Sequence, residues 1–132
     1  MIVLDTHVLV WFVSNPEKLS QKVQKIINRE IDKGERVLIS SISVWEIYML
    51  VKKGRISLSL DLDVWLQRIE QLSFIKFVSV DNKIAAKSVT LPEPFNSDPA
   101  DRMIIATSRE YGAKLITSDK KILNYSHVQS VW

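Results

Sequence analysis

Four short apolar runs, Ile2-Val3-Leu4, Val37-Leu38-Ile39, Phe77-Val78-Ser79-Val80 and Lys114 to Thr117, are separated by long stretches with helical patterning. This alternation constrains the fold more than any other feature of the chain. Strands joined through intervening helices of about a dozen residues or more lie parallel and need helices over both faces. The expected architecture over residues 1–132 is therefore a single-domain α/β/α sandwich with a mostly parallel central sheet. Val128 to Trp132 reads as a further edge strand.

The helices have their own signals. Val8 to Val13 is apolar and stops before Asn15-Pro16, while Leu19, Val23, Ile26, Ile27 and Ile31 recur with helical period ahead of Gly34. Ser43 and Glu46 form a Ser-x-x-Glu pattern that reads as a capping box, opening a helix to about Lys53 before Gly54. A helix from about Asp63 places Leu66, Ile69 and Leu72 on one side, and Asp81 is placed to cap a short helix through Ala86. After the loop Leu91 to Asn96, Asp98-Pro99 combines an N-cap with proline at the first helical position, and that helix ends at Tyr111 before Gly112.

Composition restricts the chemistry that such a scaffold can carry. No cysteine is present, which excludes disulfides, thiolate catalysis and cysteine-ligated metal. The three glycines, Gly34, Gly54 and Gly112, lie too far apart for a dinucleotide fingerprint or a P-loop. His7 and His127 are the only histidines, too few for a three-histidine metal site. What remains in quantity is 15 Asp and Glu, set against 18 Lys and Arg for a net charge of +3. That excess suits a polyanionic partner as well as an ordinary basic protein. No apolar run approaches the roughly 18 residues of a membrane span, and the N-terminus reaches Asp5 without the pattern of a signal peptide, so a cytoplasmic protein is expected.

In a parallel sheet all strands end at one edge, and ligands bind in the crevice there. Six acids follow strands or open the helices after them: Asp5, Glu46, Asp81, Asp98, Asp101 and Asp119. Gathered carboxylates repel and raise one another's pKa, so such a group is stable mainly around a divalent cation, with Mg²⁺ and Mn²⁺ suited to all-oxygen ligands. A cation held in this way can generate a nucleophilic water and steady a leaving oxygen in phosphodiester cleavage. Each acid also has a purely local explanation as a helix cap or first-turn residue favoured by the helix dipole. Position along the chain narrows the site to one edge and leaves both explanations open for all six.

Asp5-Thr6-His7-Val8-Leu9-Val10-Trp11, Ser41 to Glu46, Asp98-Pro99-Ala100-Asp101-Arg102-Met103-Ile104-Ile105-Ala106 and Leu115-Ile116-Thr117-Ser118-Asp119 resemble, in order and spacing, the segments of PIN-domain ribonucleases. The likeness is greatest to the VapC-type toxins of toxin-antitoxin pairs. It implies an endoribonuclease dependent on Mg²⁺ or Mn²⁺, with Asp5, Glu46, Asp101 and Asp119 as catalytic metal-binding acids and Asp119 acting through water. Asp98, Thr6 and Thr117 are expected to be auxiliary. His7 stands where many members carry Asn or Ser, and an Asp-Thr-His start with a following Trp resembles one branch of the family.

Arg102, Lys120 and Lys53 are candidates to neutralise substrate phosphates, although lysines near helix ends are favoured anyway. Trp11 and Trp45 lie in apolar helical stretches and are expected in the core. The resemblance further implies an RNA substrate, an antitoxin partner and a homodimer. A haloacid-dehalogenase-type phosphatase would need an aspartate where His7 stands, and a receiver domain would need adjacent acids where Asp5-Thr6 stands. Two alternatives stay open: a PIN-like RNA- or protein-binding module without cleavage, and a housekeeping RNA-processing nuclease.

Overall fold

The computed structural model describes all 132 residues. Five strands, β1 (Ile2–Leu4), β2 (Val37–Ser40), β3 (Ile75–Val78), β4 (Lys114–Ile116) and β5 (Ser130–Val131), form one sheet in the order β3-β2-β1-β4-β5. Every pairing is parallel. Seven helices connect them: α1 (Thr6–Ser14), α2 (Gln21–Asp32), α3 (Ser41–Lys52), α4 (Leu62–Glu70), α5 (Asn82–Val89), α6 (Pro99–Tyr111) and α7 (Lys120–Leu123). None is long and apolar enough to cross a membrane.

The side-chain alternation of β1 feeds both layers. Ile2 and Leu4 join a core of 15 buried residues with Val8 and Leu9 of α1, Val23 and Ile27 of α2, Ile47 of α3, and Trp65 and Ile69 of α4. Val3 points the other way, packing with Leu38 and Leu115 against Ile84 of α5, Ile104 and Ile105 of α6, and Ile122 of α7. Val3, Leu38 and Leu115 are fully buried, and burial of such side chains stabilises by about 1.5–3 kcal/mol each. Strands buried on both faces read as continuous apolar runs, which is why they were visible in the sequence.

Element boundaries moved where hydrogen bonding overrode pattern. β3 begins at Ile75 because its register with β2 pairs Val37 with Ile75 and Ser40 with Val78. α3 starts at Ser41 directly from β2, and its N-cap is Ser40, whose side chain accepts from the Ile42 N–H. The expected capping box is therefore corrected: Ser43 lies inside the helix and is fully buried. The expected caps at Asp81 and Asp98 are present, the latter accepting from the Asp101 N–H at 3.0 Å. Gly112 ends α6 in the left-handed conformation, φ 59°, that glycine adopts without penalty.

The strand order reverses around β1. β2 and β3 extend to one side and β4 and β5 to the other, so a crevice opens at the carboxyl ends of β1 and β4.

Candidate active site

Asp5 follows β1 at that crevice, and three bonds hold it. Its backbone N–H donates to Ile116 O on β4 at 3.0 Å. Its Oδ1 caps α1 by accepting from the Thr6 N–H at 2.8 Å, and its Oδ2 accepts from Thr117 Oγ1 at 2.7 Å. Asp5 is 9% exposed, and burial pushes the pKa of its carboxyl up against the pull of the Thr117 and Thr6 bonds. The cap and site explanations of Asp5 are thus both satisfied, one by each oxygen.

Thr117 and Thr6 each serve two acids. Thr117, fully buried, gives its proton to Asp5 and accepts from the Asp119 N–H at 3.0 Å. Thr6 Oγ1 lies on Glu46 Oε1 and 2.9 Å from Ser43 Oγ. With one proton to give, the Thr6 hydroxyl donates to the carboxylate and accepts from Ser43. Buried Ser43 is thereby the inner anchor of a chain running Ser43, Thr6, Glu46. Burial raises the Glu46 pKa, with the Thr6 bond opposing and the charges of Asp5 and Asp98 adding to the rise.

Asp101 arrives from the other layer, in the first turn of α6. Its carboxylate receives no hydrogen bond from the protein; burial, then the charges of Asp98, Asp5, Asp119 and Glu46, push its pKa up to about 7. Asp119, half-buried, caps α7 by accepting from the Lys121 N–H at 2.9 Å. Asp98 is exposed at the rim, its own N–H held by Asn96 Oδ1 at 2.9 Å. These acids line a cleft of ≈ 350 Å³ together with Thr6, His7, Trp11, Ser118 and Lys121.

No three of the side chains close round a common point as they stand, so a cation would have to draw them together. The donor set nevertheless fits a hard divalent ion. All candidate ligands are carboxylate oxygens, and Asp101 is a carboxylate with four acidic neighbours and no protein donor to offset its charge. Mg²⁺ and Mn²⁺ are the ions such oxygens favour.

Other expectations are redirected. Arg102 neighbours Asp101 in sequence but leaves α6 in another direction. Its Nε donates to Ser88 O at 2.8 Å, Nη1 to Asn96 O at 2.9 Å, and Nη2 to Val89 O at 3.1 Å and Glu93 Oε1 at 2.8 Å. It anchors the loop 91–97 to α5 and is not free for a phosphate. Lys53 is the exposed C-cap of α3, and Lys120 is exposed on α7; neither lines the cleft. Lys121 does, the second of the two lysines that follow Asp119 and are candidates to neutralise phosphates from their place in the sequence.

The tryptophans sort differently as well. Trp65 is buried, with Nε1 donating to Ser14 Oγ at 3.2 Å. Trp45 is 58% exposed and forms an apolar recess with Ile42, Pro99 and Ala100 beside Glu46 and Asp98. Trp11 lies half-buried at the cleft, edge-on to Trp132 at 5.7 Å.

Known proteins share this arrangement of elements. The family model described as PIN domain matches residues 2–128. Ribonuclease VapC22 of Mycobacterium tuberculosis (strain ATCC 25618 / H37Rv) is 32% identical over 130 residues, covering 98% of this chain and 95% of that protein. Among solved structures, FitAcB from Neisseria gonorrhoeae superposes with TM-score 0.71 at 20% identity over 100% of this chain and 97% of that one. VapBC2 from Rickettsia felis, bound to a DNA fragment from its promoter, gives 0.69 at 17% identity over 100% and 99%. A toxin-antitoxin complex from Klebsiella pneumoniae gives 0.67 at 19% over 100% and 97%. At such identities the structures establish a shared fold.

Proposed function

The chain belongs to the PIN domain family, and from that premise we propose that it is a Mg²⁺- or Mn²⁺-dependent endoribonuclease, the toxin of a toxin-antitoxin pair. The observation that carries the reading is the convergence of Asp5, Glu46, Asp101 and Asp119, delivered from separated parts of the chain to one cleft at the strand-order reversal. A structural explanation accounts for caps singly. It leaves Asp101 without a reason to be half-buried among acids and unbonded.

Asp5 and Asp101 are assigned as the principal cation ligands, with Glu46 and Asp119 completing the set, Asp119 through water. A cation bound there would supply Lewis acidity for activating water near neutral pH and for stabilising the leaving oxygen. The chain's own contribution is orientation and charge. Thr117 and Thr6 fix the Asp5 carboxylate, and Thr6 holds Glu46. Asp101, its pKa raised by burial and by the neighbouring acids, would hold the cation with its carboxylate, and Lys121 stands in the cleft wall as a counter-charge for the scissile phosphate. Asp98 caps the helix that delivers Asp101 and is auxiliary in that sense.

Purified protein is expected to cleave single-stranded RNA with Mg²⁺ or Mn²⁺, and Asp5→Asn or Asp101→Asn to abolish cleavage while unfolding remains cooperative. Undiminished cleavage by both variants would overturn the assignment. The antitoxin, named with relatives of this fold, is proposed to cover the cleft, and a homodimer in the cytoplasm to be the working form. Co-purification with the product of an adjacent small reading frame, and sedimentation of the isolated chain, test those two statements.

A further inference from the structure

Two recesses adjoin the acidic cleft in succession, each sharing wall residues with the one before. The first, ≈ 350 Å³, shares Lys121 with the cleft and is lined by Phe95, Asn96, Asn124, Tyr125 and His127. The second, ≈ 480 Å³, shares Ser126 and His127 with the first and reaches Arg109. The three spaces are joined end to end by shared walls.

The charge along this path is positive by design of its pairings. Glu93, the acid on the first recess, is ion-paired with Arg102 at 2.8 Å, and Glu110, beside Arg109, is held by Lys83 and Lys87 at 2.5 Å each. Lys121 and Arg109 have no carboxylate within ion-pair distance, and Arg109 spends only Nη1, on His127 O, leaving its other N–H groups for a phosphate. Between them runs an aromatic row: Phe95 lies 4.6 Å from Tyr125, and Tyr125 lies 5.4 Å from His127, whose ring is exposed at the end of the row. Tyr125 O–H donates to Pro92 O at 2.6 Å and so ties the row to the loop 91–97 that Arg102 also anchors. Asn96 is fixed in the wall, its Oδ1 accepting from the Asp98 N–H and its Nδ2 buried without a partner.

Cations at both ends with aromatic rings between them are the combination that binds single-stranded nucleic acid, the cations following phosphates and the rings accepting base faces. We propose that this track is a nucleotide-binding extension of the cleft, with one RNA base stacked on the His127 end of the aromatic row and the next phosphates at Lys121 and Arg109. The assignment rests on the nuclease reading above and adds that the protein reads a base on one side only of the cleaved bond. Lys121 is the hinge between the two, belonging to both walls.

The test is an abasic walk. Single-stranded RNA oligonucleotides, each with one base removed at successive positions on either side of the cleaved bond, are cleaved by the wild type and by His127→Ala with Mn²⁺. His127 is exposed and lies outside the acidic cluster, so this variant keeps the chemistry in place. In the wild type, one position on one side only is expected to raise KM about 5- to 150-fold with kcat little changed, the size of one base–aromatic stack. In His127→Ala the intact RNA should already show the raised KM, and removing that base should add little. A walk without a position-specific penalty, or the same penalty in the variant as in the wild type, overturns the track. Absence of cleavage by the wild type on every RNA would instead overturn the nuclease reading, and this one with it.

Discussion

Thr117 is fully buried, donates to Asp5 Oδ2 and accepts the Asp119 N–H, so removing its hydroxyl acts on two acids at once. Thr117→Val, nearly isosteric, should cost about 1–3 kcal/mol by leaving the Asp119 N–H unpaired and should weaken divalent-ion binding, with Thr117→Ser restoring both. Denaturant unfolding and ion titration measure the two effects; an unchanged ion affinity in Thr117→Val would remove the hydroxyl from the site. Asp101 makes a prediction of opposite sign. Its pKa is raised to about 7 in the folded state, so between the ordinary carboxylate range and pH 7 the folded chain binds more protons than the unfolded one. Stability in the absence of metal therefore falls as pH rises through that window. Asp101→Asn should stabilise the metal-free protein at pH 8 by about 1–2 kcal/mol, part of the charge being screened by water, and change it little at pH 4. Of these residues, Asp5 was legible because it follows a strand, but nothing in sequence joins it to Thr117, 112 positions away. Arg102 misled for a simple reason: adjacent residues on a helix point about 100° apart, so a neighbour of Asp101 faces away from it.

At the scale of elements, α6 delivers Asp101 and both of its ends are specified locally. Asp98 caps it, Pro99 opens it and Gly112 closes it in the left-handed region. Asp98→Ala should lower stability by about 1 kcal/mol, whereas Asp98→Ser keeps the cap while removing the charge. Comparison of the two by thermal unfolding and by RNA cleavage separates the roles. If Asp98→Ser is as stable as the wild type and cleaves as well, the residue acts through its cap alone. These ends were readable because capping is short-range chemistry. α3 was the less legible helix. Its sequence is apolar nearly all round, with Ile42, Val44, Trp45, Ile47, Met49 and Leu50, so periodicity could not say which side faces the core. Packing buried Ser43 and Ile47 and left Trp45 exposed. The same packing turned Glu46 toward Thr6, so its position near the site was foreseen while its partner was not.

At the scale of the whole molecule, ion binding and folding should be linked. A divalent ion that binds only the folded cleft raises stability by about 2.7 kcal/mol at a hundredfold excess over Kd. The increment should be larger at pH 8 than at pH 6, since Asp101 must lose its proton, and should vanish in Asp101→Asn. Melting curves with and without Mn²⁺ at the two pH values decide this. RNA affinity should fall with added salt, and Arg109→Gln should flatten that slope by about one phosphate contact. The alternation of strands and helices made the layered sheet readable, while the convergence of acids was a property of strand order that no local pattern encodes. That order has a temporal side. β1 sits in the middle of the sheet, and its second neighbour, β4, lies more than a hundred residues further along the chain. During translation, β1, β2 and β3 can assemble early, but one edge of β1 stays unpaired until Ile116 leaves the ribosome, and Asp101 and Asp119 come equally late. A nascent chain thus carries an open, apolar sheet edge for most of its synthesis and acquires a cleft only near the end, so an interrupted product would be sticky and protease-sensitive yet without a complete set of acids.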